Sequence, residues 1–342
     1  MGFWTKTTAA PSLWLSSGFT PLAPGFIRPE IIPFPEVNAG DRVIRLTGSD
    51  LHRVGIFWQT YYSGSDWELD DSVHIWARNY LQDPEVIVLG LVNNDTGLLA
   101  TIVSTPLGQT TMSHGASLRN TRVIEGLCVH DSHRSSGIAG FMIEYMDAFT
   151  SATYGPTVHF WSRELSSKPL FSTALSVDTY AYARCNICPS KTRVTTVDWS
   201  VFQQLWASNN PLWPGKCIIA TVPVNRRGGL IVLEAQSHIV VVSRTGRQTK
   251  LGRMPIWEVV WCGLRLDNTL VPANCPEVVL TSVAAHINTG LLFASSSAIG
   301  GSVGRNWEFW NYGRSGVHAW YIYNYIPPAF GSCFFHAIRE EI

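Results

Sequence analysis

The segment Arg134-Ser135-Ser136-Gly137-Ile138-Ala139 follows a strand-like run, Thr121–Val129, and leads into an amphipathic stretch from about Ser136 to Thr150. Strand, R-x-x-G-x-A, helix puts a glycine and a small residue where backbone amides must approach a ligand closely. The start of the helix then aims unpaired N–H groups and the positive end of its dipole at an anion. A pyrophosphate fits such a cradle. The pattern is not G-x-G-x-x-G and carries no Gly-Lys-Ser, so dinucleotide-fold and P-loop readings are weak. The plain alternative is a tight strand-to-helix turn with no ligand.

Other chemistries have less behind them. Cys128 and His130 stand two apart and would point the same way on a strand, but no group orients the pair, and no G-x-S-x-G elbow exists for a hydrolase. Cys185 and Cys188 form a CxxC. Cys217 and His238 are conceivable further ligands, yet the spacing is not that of a zinc site, and no metal is expected.

The elements that must hold the turn can be read from periodicity. Ile138, Phe141, Met142, Tyr145, Met146 and Phe149 form one apolar helical stripe. Helices are expected over Ser49–Tyr61, with Asp50 near the cap, and over Ser72–Tyr80. Strands Val86–Val92 and Leu98–Ser104 flank a hairpin turn, Asn93–Gly97. A strand Thr157–Trp161 and a helix near Lys168–Leu175 follow. The second half repeats the order. It has a helix Trp199–Ala207, strands Cys217–Val222, Gly229–Glu234, His238–Arg244 and Ile256–Leu266, and a helix Pro276–Ile287. A strand Leu291–Ser296, a helix near Val303–Phe309 and a strand Val317–Tyr325 close it. Residues 1–45, with Pro11, Pro21, Pro24, Pro29, Pro33 and Pro35 among aromatic residues, read as an extended arm.

Composition excludes several classes. Of 342 residues, 46% are hydrophobic and 15% charged, enough to bury a large core and too apolar for a disordered chain. The 25 basic residues equal the 25 acidic ones, so the basic excess of a nucleic-acid or anionic-membrane binder is missing. No apolar run spans a bilayer and no signal peptide opens the chain. Met1-Gly2 is a poor lipidation acceptor, with bulky Phe3 and with Lys6 where Ser or Thr is wanted. Seven scattered cysteines fit reduced thiols and a cytoplasmic location. The length predicts two domains or one large α/β unit.

Strand, R-x-x-G-x-A, helix resembles the acyl-CoA site of the GNAT superfamily. The flanking residues narrow this. Ile124-Glu125-Gly126-Leu127-Cys128-Val129-His130, with Arg134-Ser135, resembles the INFLCVHKKLRSKR stretch of N-myristoyltransferases. Phe3-Trp4-Thr5 with Pro11 resembles that family's FWxTQPVP arm, and Thr157–Arg163 its TCRYWHR strand. Tyr321–Tyr325 is similar to its YYLYNW strand, and Trp67–Asp71 weakly to its FRFDY loop. These islands occur in family order. The resemblance implies an α/β fold of mixed sheets, with two tandem GNAT-like halves forming a saddle. Residues 1–196 would bind acyl-CoA, and residues 197–342 would supply the peptide side.

The resemblance also implies roles. Myristoyl-CoA would be the co-substrate and a peptide's N-terminal glycine the acceptor, in direct attack on the thioester. The amides of Gly126 and Leu127 would form the oxyanion hole. Leu127, Cys128 and Val129, with the loop Arg134, Ser135, Ser136, Gly137, Ile138 and Ala139, would hold the CoA, and Phe3 and Trp4 would lie over it. The family's loop is strongly basic, whereas Asp131–Gly137 here is not. Thr157 keeps the family's threonine. Glu125 replaces its asparagine and could bind the ammonium or act as base. The family's terminal carboxylate would fall at Glu340 in an ungapped match, two residues short of Ile342. Asp66, Trp67 and Asp70 would face the peptide, with Phe160, Ser162, Ser315 and Tyr323 on the substrate side. Ser162 and Ser315 replace a His and an Asp of the family. A monomer without nucleic acid or stable membrane insertion is expected. Two other functions stay open: acyl transfer to a different amine, and non-catalytic binding of acyl chains or myristoylated peptides.

Overall fold

The computed structural model describes residues 25–26, 33–64, 67–107, 110–112, 117–118, 120–165, 176–184, 192–209, 217–221, 225, 228–289, 291–295, 298, 315–323, 325–326 and 333–336. Strand β1 (Gly25–Phe26) and β2 (Asp41–Arg45) precede helix α1 (Leu51–Tyr61). Then come β3 (Trp67–Leu69), α2 (Val73–Gln82), β4 (Ile87–Asn93) and β5 (Gly97–Pro106). Short strands β6 (Thr110–Met112) and β7 (Ser117–Leu118) lead to β8 (Thr121–Val129), helix α3 (Ile138–Tyr154) and β9 (Val158–Leu165).

A single 3-10 turn, Gly48–Asp50, leads into α1, and a capping box closes it, in which the Asp50 carboxylate accepts the N–H of Thr47 at 2.9 Å. Its inner face carries Val54, Phe57 and Trp58. It lies so close to α2 that a Cβ at Gly55 would meet the His74 ring at 2.4 Å. The β4–β5 hairpin turns where Gly97 takes φ +85°, and Asn93 Oδ1 accepts the N–H groups of Asp95 and Thr96. Strand β4 is buried on both faces. Ile87, Leu89 and Leu91 join the core under α3, with Met142 and Met146. Val88 and Val92 join the core under α1 and α2, with Trp58 and Trp76. A continuous apolar run follows from this two-sided burial.

Beyond β9 the chain forms β10 (Ser176–Arg184), β11 (Val194–Val197), α4 (Trp199–Asn209), β12 (Cys217–Thr221) and β13 (Leu230–Ala235). These are followed by β14 (His238–Thr249), β15 (Pro255–Leu266), β16 (Thr269–Pro272), α5 (Glu277–His286) and β17 (Leu291–Ser295). Strands β18 (Ser315–Tyr323), β19 (Tyr325–Ile326) and β20 (Cys333–His336) come last. Helix α5 covers Val240, Val242 and Leu292, while Phe202 and Trp206 of α4 pack on Trp261.

One sheet runs through both halves in the order β11-β13-β14-β15-β17-β10-β18-β9-β8-β5-β4-β2, with β16 beside β15 and β3 beside β14. The halves exchange strands at its centre. β10 lies between β17 and β18, and β18 lies between β10 and β9. Smaller sheets pair β1 with β19 and join β20-β12-β6-β7.

Three expectations change. The proline-rich arm was expected to stay irregular through residue 45, but Asp41–Arg45 pairs with β4. No strand was expected at Ser176–Arg184, whose two alanines lower its β-propensity, yet it is central in the sheet. β14 runs on to Thr249 through a bulge after Arg244, where β3 docks. The helices expected near 168–175 and 303–309 lie outside the described residues.

Candidate functional site

The geometry of the site begins at an interruption in β8. On one side β8 pairs with β5, Thr101 with Cys128 and Val103 with Glu125. Two residues, Gly126 and Leu127, therefore face the single residue Ile102, which is a β-bulge. Gly126 takes φ +57°, and a Cβ there would sit 2.6 Å from Val103 Cγ2. Both facts demand glycine. On its other side β8 pairs with β9 only through Thr121, Arg122 and Val123. The two strands then part: β9 continues with β18 through Leu165, and β8 continues with β5 through Val129.

The bulge sits where this gap opens. The Gly126 carbonyl accepts a hydrogen bond from Thr101 Oγ1 at 3.2 Å, on the β5 side. Thr101 Oγ1 in turn accepts the indole N–H of Trp58 at 2.8 Å. Among the described residues there is no cis peptide, so the Leu127 N–H points opposite to the Gly126 carbonyl.

Glu125 stands next to the bulge, half-buried, and accepts a short hydrogen bond from Thr105. Cys128 faces the core under α1 and α2. Burial pushes its thiol up to about 12, which keeps it neutral at pH 7 and removes it as a nucleophile. Leu127 and Val129 pack toward the core under α3, and Ile138 closes that core at the helix start.

The loop from β8 to α3 is tied to α1. The ring nitrogen Nδ1 of His130 accepts the N–H of Ser132 at 3.3 Å, which leaves the proton of the neutral ring on Nε2, 2.8 Å from Tyr61 Oη. Arg134 donates to the Tyr61 carbonyl at 2.9 Å and pairs with Asp131 at 2.8 Å. Its charge is thus already engaged. Ser135 and Gly137 take left-handed backbone, φ +65° and +90°, and Ser136 Oγ donates to the His133 carbonyl at 2.5 Å. Ser135, Ser136, Gly137 and Ala139 are exposed. Helix α3 carries no acidic residue in its first turn, so nothing there opposes an anion.

Other candidate residues are dispersed. Thr157 is buried and donates to the Gly155 carbonyl at 2.9 Å. It precedes Val158, which pairs with Thr121, so about five strand steps, roughly 17 Å, separate its level from that of Glu125. Phe160 is fully buried. Ser162 pairs with Trp320 and Tyr323 with His159, across the β9–β18 ladder, while Ser315 starts β18 opposite Ala181. Ser162 is the strand position level with Glu125 if the β8–β9 register is extended, and it is half-buried.

The acidic loop is neutralised from within. Burial opposes ionisation of Asp70, but hydrogen bonds from Ser72 and Arg244 outweigh it and hold the carboxyl below its usual range. Arg244 reaches Asp70 at 2.8 Å. Glu68 accepts from Gln248 at 3.0 Å, and the Arg247 guanidinium covers the Trp67 ring at 4.6 Å. Phe3, Trp4, Asp66, Glu340, Ile342, Cys185 and Cys188 lie outside the described residues. His238 Nδ1 sits 3.0 Å from the Gln236 carbonyl. Among the described residues no cluster of three or more His, Cys, Asp or Glu could hold a metal, and no helix is long and apolar enough to cross a membrane.

Sequence reasoning missed Thr101 and Trp58. Trp58 belongs to an apolar helical stripe and reads as core, and Thr101 reads as one more strand residue. Their link is visible only once α1 lies on β5.

No protein-family model matches the chain, and no curated protein sequence matches it. Solved structures do. The N-myristoyltransferase of Saccharomyces cerevisiae with bound myristoyl-CoA is similar over 95% of this chain and 93% of that one, with TM-score 0.68 and 10% identity. A further structure of the yeast enzyme with myristoyl-CoA covers 95% of this chain and 88% of its own, with TM-score 0.67 and 11% identity. An acetyltransferase candidate from Pyrococcus horikoshii is similar over 84% of this chain and 90% of that one, with TM-score 0.52 and 12% identity. The likeness is one of fold: the chain has the N-myristoyltransferase architecture, two GNAT-like halves in tandem.

Proposed function

We propose that the protein is an N-acyltransferase that moves a long-chain acyl group, myristoyl, from acyl-CoA to the N-terminal glycine of a peptide. One observation carries the reading: a glycine bulge beside the gap where β8 and β9 part, followed by a turn and a helix start that can take the CoA phosphates. The shared fold with the yeast enzyme bound to myristoyl-CoA supports it.

The acyl carbonyl would accept the Leu127 N–H and build negative charge against it during attack. The first-turn amides of α3 would hold the phosphates, with little help from cationic side chains. Glu125, beside the bulge, would bind the incoming ammonium and take its proton, or the tail at Glu340 or Ile342 would do so. Residues 1–196 would bind the acyl-CoA and residues 197–342 complete the acceptor side, in a monomer. Attack forms the amide bond and releases CoA thiol, with no acyl-enzyme and no metal.

The paired state of Glu68 and Asp70 favours a second reading, transfer to an amine other than that of a basic peptide. Calorimetry with myristoyl-CoA, followed by a glycine-starting peptide with CoA release monitored, tests both. Binding and release with the peptide support the first reading. Release only with other amines favours the second. Binding with no release from any amine leaves an acyl-binding protein and refutes catalysis.

A further inference from the structure

We propose that Thr101 and Trp58 are positioning residues that aim the Leu127 amide; this rests on the acyl-transfer reading above. The indole N–H is only a donor, so the 2.8 Å contact fixes Trp58 as the giver and Thr101 Oγ1 as the acceptor. The hydroxyl has one proton left to give, and the Gly126 carbonyl lies 3.2 Å away. Both side chains are buried, Thr101 at 0% and Trp58 at 1% exposure, so water does not compete for either group.

Trp58 is itself held in place. Its ring meets Trp76 edge-on at 5.6 Å and Tyr80 at 6.0 Å. The order Trp58 N–H, Thr101 O–H, Gly126 C=O is therefore a chain of donors ending on the peptide unit whose other end is the Leu127 N–H. Fixing the carbonyl fixes the N–H, because the unit is planar and trans. A donor on the carbonyl also polarises the N–H, since linked hydrogen bonds strengthen one another. Such an amide is preorganised for a developing oxyanion without contact between Thr101 or Trp58 and the substrate.

The test is steady-state kinetics of the full chain with myristoyl-CoA and a glycine-starting peptide, in wild type, Thr101→Val, Thr101→Ser and Trp58→Phe, with thermal melts alongside. Thr101→Val keeps the shape and removes the hydroxyl. Its kcat is expected to fall about 10- to 100-fold, less than the roughly 100- to 1,000-fold for an oxyanion donor removed outright because the Leu127 N–H itself remains, with the KM for myristoyl-CoA little changed. Thr101→Ser restores most of the rate. Trp58→Phe loses less than Thr101→Val, because the hydroxyl still donates. An unchanged kcat in Thr101→Val overturns the proposal, as does a joint collapse of kcat, KM and melting temperature that Ser fails to rescue. If Thr101→Val does not fold, Trp58→Phe decides: lower kcat at constant KM supports the proposal, and unchanged kcat overturns it. A folded wild type inert with every acyl-CoA and amine overturns the acyl-transfer reading itself, and the proposal with it.

Discussion

At the scale of single residues, the bulge is the most constrained point of the site. Gly126 combines a left-handed backbone with contact to Val103, so Gly126→Ala meets both strain and overlap. We expect a loss of about 2 kcal/mol or more in urea unfolding, from about 1–2 kcal/mol of backbone strain plus overpacking. A variant as stable as wild type would show that the bulge relaxes freely. Glu125 gives a separate prediction tied to the proposed base. Glu125→Gln should lower kcat about 100-fold or more while myristoyl-CoA still binds in calorimetry. An unaltered rate would move the base to the chain's tail. Legibility differs between these two residues. Glu125 was visible in the sequence because it is an ionisable residue where the motif it resembles has asparagine. The left-handed angle at Gly126 was not, because many strand glycines are mere gaps and only the opposing register tells them apart.

At the scale of elements, the junction of β3, α2 and β14 is held by charge. Asp70 accepts from Ser72 at the start of α2 and from Arg244 on β14, and its carboxyl is held low. A depressed carboxyl stabilises the fold above the unfolded value of about 3.9, and that contribution is lost as pH falls through the lower folded value. Asp70→Asn should therefore cost about 1–2 kcal/mol near pH 7, discounted because Arg244 is half-exposed, and nothing at the acid end. Urea titrations across pH would show the two curves converging as the medium is acidified. A constant offset would refute the charge argument. The elements that periodicity reveals are those with one-sided or two-sided apolar burial, such as α3, β4, β8 and β15. The strand Asp41–Arg45 was hidden by its length and by two arginines, and Ser176–Arg184 by alanines. The loss of the β8–β9 ladder beyond Val123 leaves no mark in either strand's composition, because both keep a partner on the other side.

At the scale of the whole molecule, the halves are woven rather than joined. β10 and β18 each lie among strands that are distant in the chain, and no boundary in the central sheet separates residues before 196 from those after it. Two units sharing their central ladder cannot melt apart without breaking it. Calorimetry should give one cooperative transition, and fragments 1–196 and 197–342 made separately should not fold. Two resolved transitions, or a folded fragment, would contradict this. Element order in the sequence suggested two similar halves, but order alone does not say which strands neighbour which.

The exchange also sets a timetable for synthesis. Strand β9, which helps to form the gap, has β18 as its outer neighbour, and Leu165 pairs with Val317. A ribosome emitting the chain from its first residue releases β8, the bulge and α3 long before β18. During that interval the outer edge of β9 has no native strand to pair with, and β10 has neither of its own. Pairings between such distant segments form slowly and leave edges exposed meanwhile. The bulge and the gap beside it are thus encoded early and completed late, and the nascent protein is most open to wrong pairing just when they are nearly assembled.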